Sequence, residues 1–317
     1  MKELKILAVV VFFTLATYLL VETYAHSVMH PTVDSKKFVY SDLDEATKGV
    51  MSKKGNAANG KSLVSDAGCT GCHSINVEKI SAPMDALTAA ASYGVNPPDL
   101  SNSGVVYDAK FLADLIKNPA HALKVEHKFT PESGKMHPMV PFYGMGGDID
   151  QEIADMVAYL QSIAVSQDDL TPEMAFEDAC SRCHTMDYLK WTQLGSIPKF
   201  KGEIESLTYK LQVLEYQDSL KAYMGKLPPD LSMQVLARGE TRTRNFIEDP
   251  QSYLDGTAMP RVGVTAESAE KVITFMLDSA DAKREQREEV GKYVVGFMVL
   301  LAILAFLWKQ QIWRDLK

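Results

Sequence analysis

The chain has 317 residues, with 33 Lys and Arg against 41 Asp and Glu, a formal net charge of −8 and four cysteines. Between positions 22 and 290 the balance is 27 basic to 39 acidic residues, a field that repels nucleic acid and suits a cationic protein partner. The length allows two ordinary domains, and two short motifs use every cysteine, leaving none for a structural disulfide.

Ile6 to Val21 is an uncharged apolar run preceded by Lys2 and Lys5. Residues 1–25 read either as a signal segment cleaved after Thr23-Tyr24-Ala25 or as a retained transmembrane anchor. The length of the run favours retention.

The first domain is expected over 50–166. Asn56 to Ala67 reads as a short helix delivering Cys69-Thr70-Gly71-Cys72-His73. Cys-x-x-Cys-His is the pattern of c-type haem attachment, in which both thiols add to haem vinyl groups and the histidine ligates iron. Zinc would want four ligands from paired Cys/His clusters, and a redox dithiol has no reason to carry a histidine directly after it. Pro97-Pro98-Asp99-Leu100-Ser101 follows, then Phe111 to Pro119, then Met139-Val140-Pro141-Phe142. Ile153, Met156, Val157 and Leu160 recur on one face of a closing helix capped by Asp148.

The second domain is expected over 167–282 and repeats this order. Thr171-Pro172 starts a helix leading to Cys180-Ser181-Arg182-Cys183-His184. Pro228-Pro229-Asp230-Leu231-Ser232, Asn245 to Pro250 and Met259-Pro260 follow, and Thr265 caps a helix bearing Val272, Phe275 and Met276. The repeat predicts an internal duplication: two small helical domains with two covalently attached haem c groups. The halves differ in one place. Histidine to Pro-Pro is 24 positions in the first and 44 in the second. Ile204, Leu207, Leu211 and Leu214 in the longer stretch predict an added amphipathic helix, packed on its own domain in preference to covering the haem edge or docking a partner.

A haem held by His73 or His184 needs a sixth ligand, and a methionine thioether suits an electron carrier. Met259 has no competitor, since no histidine follows His184. In the first domain Met139 fits best, with His137 and Met136 as alternatives. Tyr293 to Trp308 carries no charge and is followed by Lys309, Trp313, Arg314 and Lys317. It predicts a transmembrane helix over 291–309 with a cytoplasmic C-terminus. Lys2 and Lys5 put the N-terminus there too if the first segment is retained, so the haem domains would lie on the periplasmic side of a bacterial inner membrane.

The second half resembles cytochrome c1, the haem subunit of quinol–cytochrome c reductase (cytochrome bc) complexes. The likeness lies in Pro228 to Ser232, Ala237-Arg238, Met259-Pro260, Val272 to Phe275, Arg287 four residues before Gly291, and the membrane helix ending in Trp313-Arg314-Asp315-Leu316-Lys317. It implies His184 and Met259 as axial ligands and Arg238 as a propionate partner. Resemblance to class I cytochromes c implies that the carbonyls of Pro98 and Pro229 hold the two haem histidines. Two departures stand out. No arginine follows Ser101 as Arg238 follows Ser232, and Leu277-Asp278-Ser279-Ala280 replaces the usual Trp-Ala-Glu-Pro.

The whole chain is similar to dihaem cytochrome c subunits of some bacterial bc complexes. That resemblance implies an all-α fold of two tandem class I cytochrome c-like domains between two transmembrane helices. It also implies cytochrome b and Rieske iron–sulfur partners and a downstream cytochrome c or terminal oxidase. The chemistry would be electron transfer, with no bond-making site in this chain. Competing readings are a stand-alone membrane-tethered shuttle or an oxidase subunit, and a dihaem peroxidase. The C-terminal anchor speaks against the oxidase version, and Met259 with the Met/His loop speaks against the peroxidase.

Overall fold

Each cysteine motif is gripped by two helices, one running into it and one closing its half of the chain, in a computed structural model that describes residues 2–29, 37–130, 132 and 134–315. The C-terminal Lys317 lies outside the described residues. Among the described residues, apart from one small hairpin, the fold is all-α.

The first helix, α1 (Lys2–Met29), contains a stretch, Glu3–Ala25, that is long and apolar enough to cross a bilayer. After it come α2 (Asp44–Met51) and α3 (Ala57–Asp66), the latter started by Asn56, whose side chain accepts from the amides of Ala58 and Asn59. The first half continues with α4 (Ala86–Tyr93), α5 (Ser103–Val106), α6 (Ala109–Lys117), α7 (Pro119–Ala122) and α8 (Ile149–Ile163). Asp148 caps α8 through the amides of Asp150 and Gln151, and Ile153, Met156, Val157 and Leu160 are its buried face. α3 lies flat on α8 because Gly60 has no side chain: a Cβ there would stand 1.9 Å from the Asp155 carbonyl oxygen. Asp155 fastens the crossing, accepting from the Asn56 amide at 2.7 Å and from Gln151 Nε2 at 2.7 Å.

The second half opens with α9 (Pro172–Phe176), capped by Thr171, which passes into a single π turn over Glu177–Ser181. A two-stranded antiparallel hairpin, Trp191–Thr192 with Gly195–Ser196, follows. Then come α10 (Glu203–Met224), α11 (Gln234–Arg238), α12 (Glu240–Glu248), α13 (Pro250–Tyr253) and α14 (Ala266–Ala280), which Thr265 caps. α9 packs on α14 as α3 packs on α8, with Phe176 and Phe275 rings 4.8 Å apart. The last helix, α15 (Arg284–Asp315), holds the second stretch long and apolar enough to span a bilayer, Gln286–Arg314.

The two halves share one apolar core. The strand-like segment before α14 zips onto the first half: the Asp108 amide donates to the Gly263 carbonyl at 2.9 Å and the Thr265 amide to that of Val106 at 3.0 Å. Gly263 has φ +75° and its Cα faces the Phe111 ring, where a Cβ would come within 2.1 Å. A strap upstream of residue 50 joins the same core. Phe38, Tyr40 and Leu43 are buried, Tyr40 Oη donates to the Val264 carbonyl at 2.6 Å, and the buried Arg261 pairs with Asp42.

One expectation is corrected. The predicted apolar face of α10 is exposed, Ile204 at 81% and Leu207, Leu211 and Leu214 each above half. The opposite face carries Tyr216, Leu220 and Met224, which are buried against Ala90 of α4, with Leu87 and Val95 of the first half and Cys183 and Leu194 of its own half alongside. The helix therefore packs mainly on the first half. It keeps its own half through Tyr209 Oη to Thr192 Oγ1 at 2.7 Å and Gln217 Nε2 to Gln193 Oε1 at 3.2 Å. The sequence offers two apolar stripes on opposite sides of one helix, and helical periodicity alone does not say which meets protein.

Candidate functional site

The residues around the two motifs form two copies of one arrangement. Gly68, at φ +77°, ends α3 and starts a 3-10 turn over Cys69–Gly71. The His73 amide then donates to the Cys69 carbonyl at 3.0 Å. In the second copy the π turn replaces that kink, and the His184 amide donates to the Cys180 carbonyl, again at 3.0 Å.

The histidines are oriented alike. His73 Nδ1 lies 2.8 Å from the Pro98 carbonyl oxygen, and His184 Nδ1 lies 2.8 Å from that of Pro229. A carbonyl only accepts, so each Nδ1 carries the proton and each Nε2 keeps a free lone pair. Fixing the remote nitrogen in this way is how a metal-binding imidazole is aimed. Burial lowers the proton affinity of both rings, partly offset by the proline carbonyls, so both stay neutral near pH 7.

The proline strings do more than the sequence suggests. Asp99 Oδ2 accepts from Ser74 Oγ at 2.6 Å and from the Asn76 amide at 3.0 Å, and Ser101 Oγ accepts from the Val77 amide at 3.0 Å. Asp230 Oδ1 accepts from Thr185 Oγ1 at 3.3 Å and the Asp187 amide at 2.8 Å, and Ser232 Oγ accepts from the Tyr188 amide at 3.1 Å. Each Asp-Leu-Ser is thus a clasp on the loop after its histidine. That loop is also duplicated: Ile75 bridges Ile80 and Met186 bridges Trp191, closed by left-handed Lys79 and Lys190. The shared Asp-Leu-Ser text was the available signal for this.

The cysteines suit covalent attachment better than redox cycling. Burial pushes the thiols of Cys69 and Cys183 up and that of Cys180 up to about 12, whereas a redox dithiol needs a lowered pKa. Among the described residues no three His, Cys, Asp or Glu side chains converge as a zinc site requires. A neutral histidine whose Nε2 keeps its lone pair, beside two cysteines outside any disulfide, therefore fits a covalently held haem.

The sixth-ligand candidates lie in loops before the closing helices. Met139 and Met259 are both half-buried. Met136 is 81% exposed. His137 is engaged on both sides: Nδ1 accepts from the Met139 amide at 3.1 Å, Nε2 lies 3.2 Å from Tyr223 Oη, and Phe129 packs on its ring. Arg238 sits exposed at the end of α11, while Arg244 pairs with Glu270.

Two groups escape a sequence reading. Cys72 Sγ lies 3.7 Å from Tyr93 Oη, beside an open cleft of about 410 Å³ between α4, α10 and the Met136–Pro138 loop. Tyr216 Oη of α10 donates to the carbonyl of Arg182, inside the second motif, at 2.8 Å. It also accepts from the Asn96 amide of the first half at 3.1 Å.

Comparison with known proteins agrees with this geometry. Residues 57–164 match the family model described as Cytochrome c, and residues 242–316 match that of the Cytochrome C1 family. The second motif lies between the matched segments. A chain of a solved structure titled "Hyperthermophilic respiratory Complex III" is 24% identical over 46% of this chain and 75% of its own, with a TM-score of 0.36. No curated protein matches the chain. The chain thus holds a segment similar to cytochrome c, which contains the first motif, and a last segment similar to the cytochrome c1 family, which ends in an apolar helix.

Proposed function

We propose that this protein is a membrane-anchored dihaem cytochrome c, the electron-transfer subunit of a quinol–cytochrome c reductase (bc) complex. The observation that carries the reading is the identical aiming of His73 and His184 by Pro98 and Pro229, each at 2.8 Å. A second histidine prepared in the same way argues for a second haem on Cys180 and Cys183, outside the segments that match known families. Met259 and Met139 are the proposed sixth ligands. The half-burial of Met139, the exposure of Met136 and the engagement of His137 support that choice.

When bound, the haem would supply one-electron chemistry, and the cysteines, His73 and His184, with Met139 and Met259, would hold it. The cytochrome c1 likeness of the last residues supports cytochrome b and a Rieske protein as partners, with electrons entering at the second haem. They would leave through the first haem to a cytochrome c or terminal oxidase. The two apolar end helices and their flanking lysines, arginine and tryptophans support an inner-membrane protein with periplasmic haem domains and cytoplasmic ends. The charge excess of Asp and Glu favours a basic acceptor.

The test is rapid mixing with quinol on purified complexes carrying His73→Ala or His184→Ala. His73→Ala should leave reduction of the second haem intact and stop onward transfer. His184→Ala should block reduction of the first haem. Full-speed reduction of the first haem in His184→Ala would reverse the proposed order.

A further inference from the structure

The loop that carries Met259 is held from outside its own half. Its backbone groups can be followed from residue 258 to 261. The Ala258 carbonyl accepts from Lys128 Nζ at 3.4 Å, and the Arg261 amide donates to the Leu123 carbonyl at 3.0 Å. The groups on either side of Met259 and Pro260 are therefore both tied to the first half. Within its own half, the Met259 carbonyl accepts from Gln251 Nε2 at 2.8 Å and its amide donates to Thr257 Oγ1 at 3.4 Å. The first half is built otherwise: the Phe142 amide, just past Met139, donates to the Ile116 carbonyl of its own α6 at 2.9 Å.

Lys128 ends a 3-10 turn over Glu126–Lys128 and is half-buried. Its ammonium also donates to the Met224 carbonyl at 3.0 Å. Met224 is the last residue of α10, where helix carbonyls lack an intrahelical donor and the helix dipole is negative. One cation thus gathers a helix end and the residue before Met259. Hydrogen bonds from a charged donor are the stronger kind, and the bond to Ala258 spans 130 positions of sequence.

We propose that Lys128 of the first half is a positioning residue for Met259, and that it sets how firmly this methionine holds the iron of the second haem. The proposal rests on the reading of Cys180–His184 as a haem site with Met259 as its sixth ligand. A thioether is a neutral ligand, and its hold on iron depends on how the chain restrains it. A loop released on one side leaves the iron more often, so an added ligand competes better for the sixth position. Lys128 acts through the Ala258 carbonyl. A lysine that only capped α10 would leave that competition unchanged.

The experiment is an imidazole titration of the oxidised full holoprotein in mild detergent, with K128M, K128R and M259A as variants. Every sample carries Cys180→Ala, which leaves one vinyl group of the second haem unsaturated and moves its absorption to longer wavelength, so the two haems are read apart. Intact mass first establishes two haems per chain. A single haem would defeat the proposed function, and a second haem that binds imidazole equally in M259A and the parent would defeat the ligand reading. Both failures are distinct from that of the role given to Lys128. The expected result is a roughly tenfold tighter binding of imidazole at the second haem in K128M, the size of one lost charge-assisted hydrogen bond. K128R should stay nearer the parent, and the first haem should be unchanged. An unmoved affinity at the second haem in K128M would overturn the proposal. So would an equal rise at both haems or a K128R as loose as K128M. If K128M loses haem, K128Q takes its place, and loss from both would overturn the proposal by making Lys128 an assembly residue.

Discussion

Tyr216 and Arg182 are joined by a 2.8 Å hydrogen bond from the tyrosine hydroxyl to the arginine carbonyl, and the same hydroxyl accepts the Asn96 amide at 3.1 Å. One fully buried phenol therefore ties the second cysteine motif to the loop before Pro98, which holds the histidine of the first. The duplication seen in the text is a coupled pair in space.

Tyr216→Phe keeps the packing of α10 on α4 and removes only that hydroxyl. It leaves a buried amide and a carbonyl unpaired, so it should cost about 2 kcal/mol of unfolding free energy in denaturant titration. A change within about 0.5 kcal/mol would mean that the tie contributes little.

The two faces of α10 should respond oppositely. Leu220→Ala, on the buried face, should destabilise by about 2–5 kcal/mol. Leu211→Glu, on the exposed face, should stay within about 0.5 kcal/mol. The reverse pattern in thermal melts would restore the packing read from Ile204, Leu207, Leu211 and Leu214.

Most of the architecture is legible in the chain. Asn56, Asp148, Thr171 and Thr265 announce four helix starts, and each side chain caps as its type demands. The Cys-x-x-Cys-His and Pro-Pro-Asp-Leu-Ser texts place both histidine sites. Less visible is what depends on approach between distant segments. The strap through Phe38 and Tyr40 has too short an apolar pattern to announce burial. Gly263 against Phe111 is a contact across more than 150 residues. The Arg182 carbonyl meets the Tyr216 hydroxyl only once α10 crosses to the first half, a contact that no local pattern announces.

Asp178 should leave a mark on the pH profile. Burial, ahead of the offsetting Asn102 hydrogen bond, pushes its carboxyl up to about 6 from 3.8. The folded state then holds a proton that the unfolded chain releases. Its contribution is full below about pH 4 and is lost as pH rises through about 6, an effect of up to about 3 kcal/mol. Asp178→Asn should flatten the stability curve between pH 4 and 6. An unchanged slope would assign the titration to another group.

Iron ligation separates the candidates in the first half. Met139→Ala and Met259→Ala should each leave one haem high-spin with a lowered potential, while His137→Ala should keep both low-spin, because His137 is engaged by the Met139 amide and Tyr223. Low-spin spectra in Met139→Ala with a high-spin centre in His137→Ala would make the first haem bis-histidine.

The central claim is that both motifs carry haem, and the intact mass of the denatured chain tests it most directly. Thioether bonds survive denaturation, so the polypeptide should appear heavier by two haem groups, falling to one in Cys180→Ala/Cys183→Ala and to one in Cys69→Ala/Cys72→Ala. An increment of a single haem in the parent protein, unaffected by loss of Cys180 and Cys183, would contradict the account.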